Sequence, residues 1–259
     1  MQFFHPDSKF MAAFTLLADI VILNMLLVVT SLPVVTGGAA WRSANVVVGE
    51  MVQGRGSRYA LMFIRQLTVR WRAASVFWVL LLAAGALLVY QQFVVFQAGV
   101  DGFALTVIQA LALAGAFIIA GISVWFFALA SVGSDNSGSS GSSVAENSPG
   151  PGFAQLATSS IQHTFQFLGR TLIAVAVVAG AVWVVVKLPL AFSVPLVFFF
   201  VPAVALYLVR LVLAGPLGQE LGAEARFWWG GILGDLPENS WSRPTGESVY
   251  IPPLLSGWL

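Results

Sequence analysis

The chain has 259 residues, 58% of them hydrophobic and 9% charged, with a formal net charge of +1 and no cysteine. A soluble domain carries about 25% charged residues, so this chain has too few charges to cover a water-facing surface, and its apolar excess must face lipid. That excludes a water-soluble enzyme. The small net charge and the lack of a Lys/Arg-rich run exclude nucleic acid as a partner. The missing cysteines remove disulfides, thiolate catalysis and cysteine-based metal sites together.

The expected fold is all-α: a polytopic transmembrane helical bundle with five clear spans and a sixth membrane or interfacial helix over residues 33–52. A bilayer core needs ~20 apolar residues of helix, and the first such run covers residues 12–35, interrupted by Asp19, Asn24 and Pro33. It is about twice the length of a secretory signal's apolar core and contains Asp19, which argues against cleavage at Gly38-Ala39-Ala40. Residues 33–52 admit two readings. As a second arm returning through the membrane they make six helices and a cytoplasmic N-terminus; as an interfacial helix they leave five spans and an external N-terminus. Gly37-Gly38 after Pro33 suits a tight bend.

An Arg-rich amphipathic segment covers residues 42–72. Ala60, Phe63, Ile64, Leu67 and Trp71 recur at helical spacing on one face, with Arg58, Arg65 and Arg72 on another. The second span is residues 73–96. The third, residues 102–132, is longer than a straight crossing requires, and Ala112, Ala116 and Ala120 mark a close-packing face on it. A Ser/Gly-rich linker, disordered by composition, covers residues 133–152. The next stretch is again amphipathic, with Gln155, Ser159, Gln162, His163, Gln166 and Arg170 polar and Leu156, Ile161, Phe165 and Phe167 apolar. Both amphipathic stretches suit helices in the cytoplasmic interface, or cytoplasmic extensions of the spans they feed. The order amphipathic helix, arginine, span thus occurs twice, which suggests a two-fold internal repeat.

The fourth span is residues 171–186, closed by Lys187. The fifth is residues 190–209, predicted to kink at Pro195 and Pro202 and ending at Arg210. A Trp-rich tail over residues 214–259 holds no span-length apolar run and is expected on the cytoplasmic surface or docked on the bundle. The chain thus divides into N-terminal membrane helices (1–132), the linker (133–152), a second membrane segment (153–213) and the tail. Placing the Arg-rich segment and the C-terminus in the cytoplasm puts all Lys and Arg inside except Lys9 and Lys187.

Chemistry is sparse. His5 and His163 stand alone, without HExxH, GxxxxGK[ST] or GxSxG motifs, so no catalytic residue, cofactor or metal is expected, and nucleotide hydrolysis would have to come from other chains. Asp19 is the one ionisable group that either topology puts inside a span, about 12 Å along its helix. Intramembrane carboxylates are functional candidates because an unpaired buried charge is costly. Asp19 either pairs with an arginine or serves a proton- or substrate-linked role. With a cytoplasmic N-terminus its partner is Arg210 or Arg72; with an external one it is Lys187. Asn24 and Ser31, seven apart, share a face that meets other helices.

The strings Leu17-Ala18-Asp19-Ile20-Val21-Ile22-Leu23-Asn24 and Ser31-Leu32-Pro33-Val34-Val35-Thr36-Gly37-Gly38-Ala39 resemble the signature of the YesL-like family, bacterial membrane proteins built around a domain of unknown function. The resemblance covers roughly residues 10–213, with a weaker match around residues 161–172; the linker and the aromatic tail depart from it. It implies a bacterial multi-pass cell-membrane protein encoded beside carbohydrate transporters. It also favours residues 33–52 as a helix in the bundle, and singles out Asp19 and Asn24, with Ser31, Pro33 and Gly37 in the same signature. The expected partners are the lipid bilayer and transporter subunits on other chains, and the expected role is accessory or regulatory. A small proton-coupled carrier using Asp19 and a lipid-interacting scaffold are the alternatives.

Overall fold

A computed structural model describes residues 9–55, 58–69, 71–135, 152–219 and 221–222. The heart of the linker and the tail from residue 223 onward, for which disorder and a surface location are expected, lie outside the described residues. Every regular element described is helical: α1 (Lys9–Ser31), a 3-10 turn (Val34–Thr36), α2 (Gly37–Val52), α3 (Tyr59–Leu67), α4 (Trp71–Gln97), α5 (Gly102–Asp135), α6 (Phe153–Gln166), α7 (Leu168–Lys187), α8 (Leu190–Phe199) and α9 (Val201–Leu213). Residues 133–135, expected in the linker, continue α5. Four helices are long and apolar enough to cross a membrane: α1, α4, α5 and α7. The pair α8 and α9, bent by 53° at its break, makes a fifth if it counts as one span.

Helices are the local solution because apolar surroundings give the backbone no partner but itself. Their ends are set by residues that cannot continue. Pro33 bars Leu32 from helical geometry, so α1 stops at Ser31, four residues earlier than the apolar run. The chain then reverses through a turn in which the Thr36 N–H donates to Pro33 O (3.0 Å) and the Thr36 hydroxyl reaches Thr30 O (2.7 Å). Leu188 is extended before Pro189 and closes α7 in the same way.

α2 is the inner helix. It packs against α1, α3, α4, α5 and α9, and every residue in it except Trp41 and Glu50 is buried. Small residues permit this: a Cβ on Gly38 would run into the Ala74 backbone, and one on Gly37 would come within 2.7 Å of the Trp78 indole nitrogen. The segment 33–52 is therefore enclosed by the bundle, and the picture of a helix lying on its surface does not describe it.

The amphipathic faces came out differently from the sequence pattern. α3 turns Phe63, with Tyr59, Met62 and Leu67, toward the core while Ile64 and Trp71 stay exposed. α6 buries Leu156, Ser160 and Thr164 and exposes Ile161 and Phe165. The physical reason is that outward-facing apolar side chains lose nothing in lipid, whereas small hydroxyl-bearing residues let helices approach closely. Ser160 and Thr164 satisfy their hydroxyls on the carbonyls of Leu156 and Ser160, at 2.6 and 2.7 Å. Along the apolar stretches of α4, α5 and α7 almost no residue is buried, as expected of lipid-facing helices.

Candidate functional site

Asn24 lies fully buried on α1 and holds the break between α8 and α9. Its amide NH2 donates to Val197 O (2.9 Å) and Phe198 O (2.6 Å), and its side-chain oxygen accepts from the Ala203 N–H (2.7 Å). Pro202, in the first turn of α9, has no N–H to give α8, so carbonyls at the end of α8 need another donor. One carboxamide, offering two donors and an acceptor, closes both sides of the interruption. The predicted kink is thus a full break, and its geometry is fixed by a residue far away in sequence.

Two arginines are buried inside the bundle, Arg42 at 2% and Arg210 at 1% exposure. Arg42 donates to Gln66 Oε1 (3.3 Å), tying α2 to α3, and Arg210 donates to Ala128 O (3.3 Å), tying α9 to α5. The Arg210 guanidinium lies against Gly49 of α2, where a Cβ would clash with it. Arg170 of α7 donates to Val212 O (3.4 Å) and fills the space beside Gly215. These contacts, with the Gly222 N–H on Val52 O (2.9 Å), gather the C-terminal ends of α2 and α9 and the start of α7.

A third joint centres on Trp125, whose indole N–H donates to Thr171 Oγ1 (2.8 Å). Its ring stacks on His163 (5.0 Å) and Phe167 (5.7 Å), so α5, α6 and α7 meet there. Gly121 makes room for the methyl groups of Thr164 and Thr171, which a Cβ would meet at 3.0 and 2.9 Å.

Between these joints lies a cavity of about 350 Å³ walled by α2, α4, α5, α7 and α9. Trp41 and Trp78, with ring centroids 6.3 Å apart, flank it on one side. Leu81, Leu88, Val178 and Leu206 line it elsewhere, and Asn45 and Ser123 are its polar members. Its volume falls in the range of about 300–1,000 Å³ usual for small-molecule sites. Ala116 and Ala120, expected to pack tightly on a neighbour, instead form part of its wall. The chemistry such a space offers is retention of an apolar body with one or two hydrogen bonds.

The residues singled out from the sequence do not converge on one site. Asp19 is half-buried on α1 and, among the described residues, makes no ion pair or hydrogen bond. The expected pairing fails because each proposed partner is engaged or placed elsewhere. Arg210 turns to Ala128, Arg72 is exposed on the first turn of α4, and Lys187 lies 6.0 Å over the Trp183 ring. Ser31 is not joined with Asn24; its hydroxyl is buried without a partner among the described residues. Pro33 is exposed at the α1–α2 turn, and Gly37 sits under Trp78. Sequence reasoning missed Arg42, Asn45, Gly49 and the tryptophan pair. The small-residue run from Gly37 to Ala40, continued by Ser43 and Ala44, was the available sign that α2 packs closely. Among the described residues, no cluster of His, Cys, Asp or Glu could hold a metal ion. Comparison of the chain with protein-family models, curated proteins and solved structures finds no match in any of the three.

Proposed function

We propose that this chain is a non-enzymatic multi-pass membrane protein acting as an accessory or regulatory component of carbohydrate uptake in a bacterial cell membrane. The supporting observation is how its buried polar groups are used. Asn24, Arg42, Arg170, Arg210 and Thr171 all fasten one helix to another, while the chamber at the centre is walled by tryptophan and aliphatic side chains. A sugar-conducting path needs hydrogen-bonding groups along its length, because stripping a hydroxyl of water without replacement costs several kcal/mol. The carrier reading loses support on the same ground, since Asp19 is not among the residues of the cavity wall. The link to carbohydrate rests on the likeness of residues 17–39 to the YesL-like signature. In the proposed orientation the end bearing Arg55, Arg170 and Gln219 faces the cytoplasm.

Affinity purification in mild detergent with identification of bound proteins tests this reading. Subunits of a carbohydrate transporter are the expected companions. Their absence, together with unchanged growth on oligosaccharides after deletion, would overturn it in favour of a lipid-interacting scaffold, a reading that the apolar cavity also favours.

A further inference from the structure

The central cavity does not end at its walls. Leu88 and Ala116 belong both to it and to a shallower groove of about 420 Å³ between α4 and α5, which continues past Ala112 to Gln92 and Gln109. The stretch of α4 from Trp78 to Gln92 is about 21 Å long at ~1.5 Å per residue. A hydrocarbon core about 30 Å thick holds two chain lengths, so cavity and groove together accommodate one extended lipid chain. The bounding faces of α4, α5 and α7 are exposed and apolar, which puts the groove in reach of lipid.

One polar atom marks the inner part of this path. Asn45 is 2% exposed and lines the cavity; its NH2 donates to Trp41 O (2.9 Å), while its side-chain oxygen accepts no hydrogen bond among the described residues. A buried acceptor left without a donor is costly, and a hydroxyl on the occupant removes that cost. A purely hydrocarbon occupant would leave it in place.

We propose that the cavity binds a single-chain lipid alcohol, with its hydroxyl donating to Asn45, its first carbons beside Trp41 and Trp78, and its chain running out along Leu88 and Ala116. The proposal depends on neither the carbohydrate link nor any partner chain, and its test is correspondingly separate.

The experiment uses the full chain in phosphatidylcholine vesicles with a hexadecanol carrying a photoreactive diazirine in its chain, followed by mapping of the labelled residues. Labelling is expected on α4 between Trp78 and Leu88 and on α5 between Ala116 and Val124. Unlabelled hexadecanol should compete about tenfold better than its methyl ether, the equivalent of about 1.4 kcal/mol, and Asn45→Val should abolish that preference. Ala116→Phe, or the smaller Ala120→Leu, should suppress cavity labelling while labelling at the outward-facing Phe93 and Val182 persists, showing that the variant is folded and inserted. Label confined to outward-facing residues overturns the proposal. So does equal competition by alcohol and ether, or cavity labelling that survives both wall substitutions.

Discussion

Asn24 shows how much a single carboxamide can carry when no water competes. Its three hydrogen bonds replace those lost where α8 gives way to α9. A typical hydrogen bond between membrane helices is worth well under 1 kcal/mol, because the separated helices find other partners. Here the groups released would be backbone carbonyls and an N–H at a break, so the larger penalty for unsatisfied buried groups, about 1–3 kcal/mol, applies. Asn24→Leu should therefore lower the thermal midpoint in detergent and speed amide exchange at Ala203. Asn24→Asp should be worse still, because a carboxylate would face the two carbonyls at positions 197 and 198 without a proton to give them. Unchanged exchange at Ala203 in the leucine variant would show that the break is held by other means. Glycines supply a second contrast. A helical Gly→Ala change normally stabilises by roughly 0.5–1 kcal/mol, and Gly85 on α4, with nothing within 4 Å of its Cβ direction, should behave that way. At Gly38 the added methyl meets the Ala74 backbone, which cannot rotate aside. Overpacking of about 1–3 kcal/mol should win there, so the two substitutions should shift the thermal midpoint in opposite directions.

The helices themselves were legible where apolar length decides. Residues 73–96, 102–132 and 171–186 fall within α4, α5 and α7, and the prolines marked the places where α1 and the α8–α9 pair give way. What periodicity did not give was which face turns inward. On α6 the pattern set Ile161 and Phe165 against a polar face, as if water were the only solvent, yet Ser160 and Thr164 are the residues that meet α5 and α7. Lipid is as apolar as leucine, so hydrophobicity cannot rank the faces; room for close approach does. The candidate site was less legible, because Asn45, Trp41 and Trp78 come together only through packing of α2 and α4. The inversion on α6 is open to measurement. Thr164→Leu, beside Gly121 and Trp125, should destabilise by about 1–3 kcal/mol through overpacking, while Phe165→Ser on the exposed face should stay within about 0.5 kcal/mol. A larger loss from Phe165→Ser would return α6 to the orientation expected from its polar pattern.

Across the bundle, the undecided question from the sequence was whether residues 33–52 pass through it. α2 is 16 residues long, about 24 Å, and the 3-10 turn before it adds about 6 Å. Together these reach the ~30 Å of a hydrocarbon core, where α2 alone would fall short. Contacts at its two ends point the same way. Near the close of α1, Val28 shares a pocket with Leu188 and Leu190 at the α7–α8 turn. At the far end of α2, Val52 meets Gly222 and Gly49 meets Arg210. The arginines of residues 42–72 do not all sit at one level, because α3 doubles back along α2 and brings Arg72 toward its beginning. Charge counting therefore says less about this segment than the contacts do. The chain has no native cysteine, so single-cysteine variants read topology without background. In whole cells, a membrane-impermeant maleimide should label Leu32→Cys and Leu188→Cys and spare Arg55→Cys and Gln219→Cys until the membrane is opened. If Leu32→Cys instead shares the protection of Arg55→Cys, α2 does not cross, and the five-span arrangement with an external N-terminus stands.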